Sequence, residues 1–231
     1  MGMIDKIQKK YFSGKSLDKE NLSLQLLKPL MVEYGFMPVA NSALAFESIN
    51  TLCNDLMFNN RKAIIEFGSG ISTLILASLI KSKSLECTFI SVEHNIAWID
   101  LLEQQLKSIG AEKHVQFLYA PVGPHPLALD NNVWYQMDNH LSVLQQHSFD
   151  CVIIDGPEAH QHDIRRARYP SMPFIQPFLN KDRCFLMLDD AFREGEKDIR
   201  QRWKNDFELD FSIKVSKSAC CIRGDFFNPI T

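Results

Sequence analysis

The clearest hydrophobic pattern in the chain lies between residues 63 and 80. It begins with the short apolar run Ala63-Ile64-Ile65, which is typical of a buried strand. After Ser72, apolar residues recur at a spacing that suits a largely buried helix: Leu74, Ile75, Ala77, Leu79 and Ile80. The pattern therefore predicts a strand, a tight turn over Glu66-Phe67-Gly68-Ser69-Gly70, and a helix.

The predicted turn has the composition of a ligand-binding loop. Gly68 and Gly70 let the backbone turn tightly and approach a ligand without an intervening side chain. Ser72 and Thr73 are candidate caps for the helix, whose first N–H groups offer donors to a polar or anionic group. Thr73 replaces the third glycine of the dinucleotide motif G-x-G-x-x-G, and no Gly-Lys-Ser/Thr follows, which argues against a P-loop.

Strand-like and helix-like segments alternate along the rest of the chain. Further strands are predicted over residues 87–93, 115–119, 149–154 and 184–188, with a terminal hairpin over 207–215 and 219–223. Helices are predicted over residues 22–34 with a break near Pro29, and over 43–58, 97–107, 137–146 and 194–203. Residues 1–20 are polar and predict a loosely docked arm, and residues 123–133 predict a loop.

These elements predict an α/β fold with a doubly wound, mostly parallel sheet of seven strands. The sheet ends in a C-terminal antiparallel hairpin. Residues 1–60 are expected to form an N-terminal helical arm or cap on a domain of residues 61–231, and the whole is expected to be one compact domain.

Acidic residues follow three of the predicted parallel strands, besides Glu66 in the first turn. Glu93 ends the second strand, where a carboxylate can accept hydrogen bonds from both hydroxyls of a ribose; a solvated loop acid or a helix cap is the alternative. Asp155 ends the fourth strand before the turn Gly156-Pro157, at the sheet edge where ligands bind, or else merely caps that turn. Asp189-Asp190 ends the fifth strand.

The acids Asp155, Asp189 and Asp190 are expected at neighbouring strand ends. Such a cluster repels itself unless a cation, a proton or arginines offset the charge. Carboxylate oxygens suit Mg²⁺ or another divalent cation such as Ca²⁺ or Mn²⁺.

The segment after Asp155 carries the remaining candidate chemistry. His160 and His162 could supply a general base or loop metal ligands, but their i, i+2 spacing excludes a shared helix face, and ordinary exposed histidines are the alternative. Three arginines form a compact cationic group that could hold an anionic substrate or be solvated: Arg165, Arg166 and Arg168. Trp134-Tyr135 could stack on a base, cover a cleft or anchor the core.

Composition narrows the class of protein. The chain has 231 residues, 45% of them hydrophobic and 23% charged, and its net charge of −3 gives no sign of nucleic-acid binding. No apolar run is long enough to span a bilayer, and the first ten residues lack the apolar core of a signal peptide. The six cysteines contain no C-x-x-C pair and are interpreted as reduced core residues. The default expectation is a cytoplasmic protein.

The acid followed by Gly-x-Gly, from Glu66 to Gly70, resembles the first motif of the class I methyltransferases that depend on S-adenosylmethionine (SAM). The resemblance covers roughly residues 61–200 and makes residues 61–231 a Rossmann-like SAM-binding domain. A carboxylate at Glu66 would repel a dinucleotide pyrophosphate but attract the positive charge of SAM. The resemblance implies the following cofactor-binding residues: Glu66, Gly68, Ser69, Gly70, Ser72, Thr73, Glu93, His94, Ala120, Pro121 and Asp155, with Ala120 and Pro121 at the adenine.

The strand-end acids also resemble those of the catechol O-methyltransferase group, which hold a divalent ion against two substrate oxygens. Asp190 stands where that group usually has Asn, so metal binding by Asp155, Asp189 and Asp190 is open. Strand-end Asp-Gly-Pro with a later Asp-Asp loosely resembles methyltransferases that act on sugars and polysaccharides.

The expected activity is O-methylation of a small-molecule or sugar-type acceptor, with Asp155 or His160 as the base. An anionic acceptor could pair with the arginines Arg165, Arg166 and Arg168. The sequence leaves open whether the protein forms a homo-oligomer. Two alternatives are an NAD(P)-dependent oxidoreductase with the same sheet and a non-catalytic protein that binds SAM or a nucleoside.

Overall fold

The computed structural model describes residues 18–40, 42–131 and 133–224. Its strands are β1 (Ala63–Phe67), β2 (Thr88–Glu93), β3 (Gln116–Tyr119), β4 (Val122–Pro124), β5 (Val133–Tyr135), β6 (Cys151–Ile154), β7 (Cys184–Leu188), β8 (Ile213–Val215) and β9 (Ser218–Arg223). Its helices are α1 (residues 18–31), α2 (Phe46–Phe58), α3 (Ile71–Lys83), α4 (Ile96–Ser108), α5 (Leu141–Leu144), α6 (Ser171–Ile175) and α7 (Glu194–Phe207). Short 3₁₀ helices cover Val32–Tyr34, Glu112–His114, Leu129–Asn131, Asp138–His140 and Gln176–Phe178.

The central sheet has seven strands in the order β3-β2-β1-β6-β7-β9-β8. The first five are parallel, and β9 and β8 are antiparallel to their neighbours. This confirms the predicted fold class, including the reversed pair at the C-terminus. The strand order changes direction between β1 and β6, which is where open α/β sheets bind their ligands.

Two hydrophobic clusters cover the two faces of the sheet. One contains Ile49 of α2, Ile75 of α3 and Leu102 of α4, and the other contains Ile199 and Trp203 of α7. The strands β1, β6 and β7 are buried on both faces, which explains their apolar runs, whereas the edge strand β3 is partly exposed. Buried side chains of α1 and α2, such as Leu27, Ile49 and Leu56, belong to the same cluster as α3, so these helices pack in one layer. The division into an arm of residues 1–60 and a domain of residues 61–231 stays a prediction.

Several element predictions need correction. The break near Pro29 is wrong: residues 18–31 form one helix, and Pro29 lies in its last turn, where it removes only one backbone hydrogen bond. The predicted loop 123–133 connects an antiparallel pair, β4 with β5, and overlaps it at Gly123, Pro124 and Val133; these three-residue strands are too short to show a period. The predicted helix 137–146 is a 3₁₀ turn followed by the short α5. Residues 1–17 of the predicted arm lie outside the described residues.

Among the helices in the described ranges, none combines the length and apolar character needed to cross a membrane.

Candidate cofactor and acceptor site

A cavity of about 370 Å³ opens at the carboxyl ends of the parallel strands, within the range of small-molecule sites. The turns after β1, β2, β6 and β7 all contribute to its lining. Cofactor residues predicted from the sequence that line it are Gly68, Ser69, Gly70, Ser72, Glu93, His94 and Asp155. The structure thus brings together most of the predicted cofactor residues, although they come from three separate turns.

The glycine turn after β1 packs directly against the turn after β6. Gly68 has φ +95°, and a Cβ built on it would lie 2.9 Å from the backbone nitrogen of Gly156. A Cβ on Gly156 would in turn lie 3.0 Å from the Cα of Gly68 and collide with the Tyr135 hydroxyl. Both glycines are therefore required by the close approach of two backbones, which leaves the cavity open above them.

Glu66 does not line the cavity, contrary to the expectation that it contacts the cofactor. Its side chain is fully buried behind the turn, and its carboxylate accepts hydrogen bonds from the hydroxyls of Ser72, Thr73 and Ser91. Burial raises the pKa of Glu66 to about 7, against the opposing effect of the three donors. Glu66 therefore stabilises the turn through buried hydrogen bonds and does not contact the cavity.

Neither Ser72 nor Thr73 is the N-cap residue, but Thr73 contributes to the cap as predicted by accepting the N–H of the N-cap residue. The helix begins at Ile71, with Gly70 in the N-cap position, so both residues lie in its first turn. The Thr73 hydroxyl accepts the N–H of Gly70 at 2.9 Å and donates to Glu66, and Thr73 is buried away from the cavity. Their hydroxyls connect the helix start to the strand end.

Glu93 presents a carboxylate that is held in place by backbone donors. Its Oε2 accepts the N–H of Ser69 at 3.1 Å, and its Oε1 accepts the N–H groups of His94 and Asn95 at 2.8 and 2.9 Å. Burial alone would raise the pKa of Glu93, but the hydrogen bonds from His94, Asn95 and Ser69 outweigh it and lower the pKa. The hydrogen bond to Glu93 raises the pKa of His94, whose Nδ1 lies 2.9 Å from Oε1. An ionised carboxylate therefore faces the cavity.

The residues expected at the adenine are not part of this cavity. Ala120 is buried and donates its backbone N–H to the Glu93 carbonyl at 2.8 Å, while Pro121 is exposed. Two aromatic side chains line the cavity instead: Trp98 and Tyr135. The indole N–H of Trp98 donates to the Ser69 carbonyl at 2.9 Å, a contact that the helical pattern of α4 does not reveal.

Asp155 and His160, the predicted catalytic residues, both line the cavity. Burial raises the pKa of Asp155 well above its usual range; the Arg168 guanidinium opposes this rise and the Asp189 carboxylate adds to it. His160 is exposed, with its Nδ1 4.0 Å from Glu158 Oε2. His162 is also exposed and is not part of the lining.

The three arginines do not act as one group. Arg168 is buried, and its guanidinium donates to the backbone carbonyls of Asp155 at 2.7 Å, Pro157 at 3.1 Å and Asp189 at 3.1 Å. Arg166 pairs with Asp130 and Asp198 away from the cavity, and Arg165 is not part of the lining either. The prediction that Arg165 and Arg166 bind substrate is therefore not supported, because their side chains lie outside the cavity.

Asp155, Asp189 and Asp190 are neighbours, with one ligand oxygen from each within 4.8 Å of the others. Asp190 lines the cavity, whereas Asp189 is fully buried. The spacing alone would allow a metal ion, but side-chain cations already lie against the cluster: Arg168, Arg193 and Lys217. The residues therefore fit a divalent ion poorly.

Ser42, Ala43 and Leu44, from the segment before α2, also line the cavity.

No protein-family model matches the chain, and no curated protein matches it in sequence. Solved structures do match in fold. The methyltransferase PaMTH1 of Podospora anserina, bound to S-adenosylhomocysteine (SAH), has a TM-score of 0.61 at 13% identity, over 95% of this chain and 96% of its own. An O-methyltransferase of Bacillus cereus in complex with SAH has a TM-score of 0.52 at 11% identity, over 89% and 91%. A Staphylococcus aureus protein assigned as a caffeoyl-CoA O-methyltransferase has a TM-score of 0.57 at 16% identity, over 94% and 100%.

The chain therefore has the Rossmann-like fold of class I methyltransferases, as the resemblance implied. Its cavity lies at the carboxyl edge of the sheet, at the change of strand order.

Proposed function

We propose that this protein is a SAM-dependent methyltransferase that methylates a hydroxyl of a small-molecule or sugar-type acceptor. The observation that carries the proposal is the pairing of an open glycine turn with the ionised Glu93 carboxylate on one cavity. The two features are joined by a hydrogen bond, so they form a single preorganised surface for a nucleoside with a short polar tail.

The residues fit SAM in two places. The turn at Gly68 and Gly70 leaves room for the methionine part, because no side chain stands between the backbone and the cavity. Glu93 accepts ribose hydroxyls with the lone pairs that its backbone donors leave free. Bound SAM would supply an activated methyl group, and the acceptor oxygen displaces the sulfur in line.

The protein mainly aligns the acceptor and accepts its proton. Asp155 and His160 are the candidates for the base, since both line the cavity. A carboxyl group with a raised pKa is well suited to that work when it is unprotonated.

An NAD(P)-dependent oxidoreductase is the weaker candidate. Because Glu66 is buried, its charge no longer argues against a pyrophosphate as the sequence suggested. The antiparallel β9 and β8 still favour a methyltransferase over a continued βαβ arrangement. The third candidate is a protein that binds SAM without catalysing methyl transfer. It would have the same cavity, so only a measurement of turnover distinguishes it from an enzyme.

Titration calorimetry with SAH, NAD⁺ and adenosine tests the proposal on the full chain. We expect saturable binding of SAH and none of NAD⁺ at the same concentration. Binding of NAD⁺ but not of SAH would overturn the cofactor assignment. Methyl transfer from labelled SAM to a panel of hydroxylated acceptors then separates an enzyme from a binding protein.

The six cysteines are free and five of them are buried, which fits a reducing compartment and supports a cytoplasmic location as part of this proposal. Of the arginines, Arg168 and Arg193 line the cavity, and an anionic acceptor would have to approach these two.

A further inference from the structure

The three-aspartate cluster, formed by Asp155, Asp189 and Asp190, has its own cation in this chain. We propose that the ammonium of Lys217 takes the place of a divalent ion at this cluster, so that methyl transfer needs no metal. The statement about methyl transfer rests on the proposed function. The exclusion of a metal ion by Lys217 can be tested separately.

Each oxygen of the adjacent acids Asp189 and Asp190 already lies against a hydroxyl donor or a side-chain cation, and the Lys217 contact to Asp189 Oδ2 is an ion pair without hydrogen-bond geometry. Asp189 Oδ1 accepts the Ser218 hydroxyl at 2.8 Å, and Asp189 Oδ2 lies 2.8 Å from the Lys217 Nζ. Asp190 Oδ1 lies 3.4 Å from the same Nζ, and its Oδ2 lies 2.8 Å from Arg193 Nη2. A metal ion would have to displace at least one of these donors to find a ligand atom.

Side-chain cations offset the charges of the cluster, although one of them, Arg193, also pairs with the buried Glu196 at 2.8 Å. Lys217 and Arg193 face the adjacent pair, and Arg168 Nη2 lies 3.3 Å from Asp155 Oδ1. A divalent ion bound to the pair would lie about 2.0–2.6 Å from its oxygens and therefore only a few ångströms from the ammonium. Two further positive charges at that distance would be strongly repelled.

Lys217 is positioned by its backbone as well as by its charge. It lies in the turn between β8 and β9, and its carbonyl accepts the N–H of Ala191 at 2.8 Å. The next residue, Ser218, bonds both Asp189 and the Ser48 hydroxyl of α2, each at 2.8 Å. The turn is thus tied to the acidic segment through the Lys217 carbonyl and the Ser218 hydroxyl, which brings the lysine side chain next to the acidic pair.

The arrangement has a consequence for the acceptor. A chelated ion selects acceptors that offer two adjacent oxygens, whereas an ammonium held against Asp189 by an ion pair makes no such demand. We therefore expect an acceptor with a single reacting hydroxyl, deprotonated by a side chain of the cavity.

Manganese binding, followed by electron paramagnetic resonance on chelator-treated full-length protein, tests the arrangement without any acceptor. The variants are Lys217→Met, Lys217→Arg and, as a matched control, Lys107→Met, which breaks an exposed pair with Glu103 on α4. We expect no saturable Mn²⁺ site in the wild type, Lys217→Arg or Lys107→Met. Lys217→Met should gain one site at least about tenfold tighter than any in the wild type, and adding Asp190→Asn should remove it.

A saturable Mn²⁺ site in the wild type that Asp190→Asn abolishes would overturn the proposal. So would a folded Lys217→Met variant, verified by its circular dichroism, that gains no site. SAH binding of the same wild-type sample is measured in parallel. If the wild type did not bind SAH, the methyltransferase assignment would be wrong. The manganese result would still show whether Lys217 excludes a divalent ion from the aspartate cluster.

Discussion

The backbone N–H of Ser69 donates to Glu93 Oε2 at 3.1 Å, so the tip of β2 holds the glycine turn that follows β1. The same carboxylate accepts the N–H groups of His94 and Asn95 through its other oxygen. Glu93 therefore has two tasks: it orders the loops around the cavity, and it presents its charge to a ligand.

Replacement of Glu93 separates these two tasks. Two hydrogen bonds from a ribose to an ionised carboxylate, at roughly 1.5–3 kcal/mol each, predict that Glu93→Ala weakens SAH binding by about 100-fold or more. Glu93→Gln keeps the shape of the side chain and should reduce SAH affinity less than Glu93→Ala does. Calorimetry with SAH measures both.

The matched control for Glu93 is Glu103→Ala, since Glu103 is a partly exposed acid on the neighbouring helix that pairs with Lys107 and does not line the cavity. It should leave SAH affinity unchanged. If Glu93→Ala bound SAH as tightly as the wild type, the ribose assignment would be wrong.

The buried Glu66 should make the stability of the protein depend on pH. Its pKa rises from 4.5 to about 7 on folding, so between these values the folded state binds more protons than the unfolded state. The contribution of Glu66 to the free energy of unfolding is greatest below about pH 4.5. It decreases as the pH rises to 7, by roughly 3 kcal/mol in total. Glu66→Gln should remove this part of the pH dependence.

Urea unfolding of wild type and Glu66→Gln at pH 5 and pH 8 measures the change in the free energy of unfolding. The wild type should lose more stability across this interval than the variant, while the surface variant Glu103→Gln should behave like the wild type. Equal pH dependence of wild type and Glu66→Gln would show that Glu66 does not titrate in this range.

Asp155 is expected to act as the base only after it has lost its proton. Because burial raises its pKa, turnover should increase with pH through a value well above that of an ordinary aspartate. Asp155→Asn should lower kcat by about 10²–10⁴ and remove this increase, with SAH affinity changed little. Labelled-SAM assays with an accepted hydroxyl compound give the pH profile.

The comparison variant is His160→Gln, because His160 is the other candidate on the cavity. A larger loss of kcat in His160→Gln than in Asp155→Asn would transfer the role of base to the histidine.

Arg168 should matter more for stability than the arginines beside it. Its buried guanidinium bonds three backbone carbonyls at the ends of β6 and β7, so Arg168→Met leaves these carbonyls without their donor and Asp155 without its ion pair. A loss of roughly 3–5 kcal/mol in the free energy of unfolding is expected. Arg165→Met removes a guanidinium that contacts the exposed His162 and should cost less than about 1 kcal/mol. Urea denaturation with SAH absent compares the two; equal losses would contradict this role for Arg168.

Local patterns were sufficient for the parts of the protein in which one segment carries its own signal. The buried strands, the glycine turn and the strand-end acids Glu93, Asp155 and Asp190 follow from runs of apolar residues that end in polar ones. Parallel strands present their carboxyl ends at the same edge, and this rule predicted that acids distant in the sequence would meet.

The roles of individual side chains depended on contacts between distant segments. Glu66 was expected at the cofactor because it precedes the glycines, but three hydroxyls from α3 and β2 hold it behind the turn. Arg168 was expected to bind a substrate, and only the structure shows that its guanidinium also bonds three backbone carbonyls.

The sequence by itself determined the order of strands and helices and the edge of the sheet at which the polar residues collect, because both depend on local periodicity and on the direction of parallel strands. Only the tertiary structure decided which cation lies against Asp189 and Asp190. Lys217 comes from a turn after the last helix, and no spacing along the chain indicates that an antiparallel strand carries it back to the acids. Charge pairing is a matter of distance in space, which the fold alone sets.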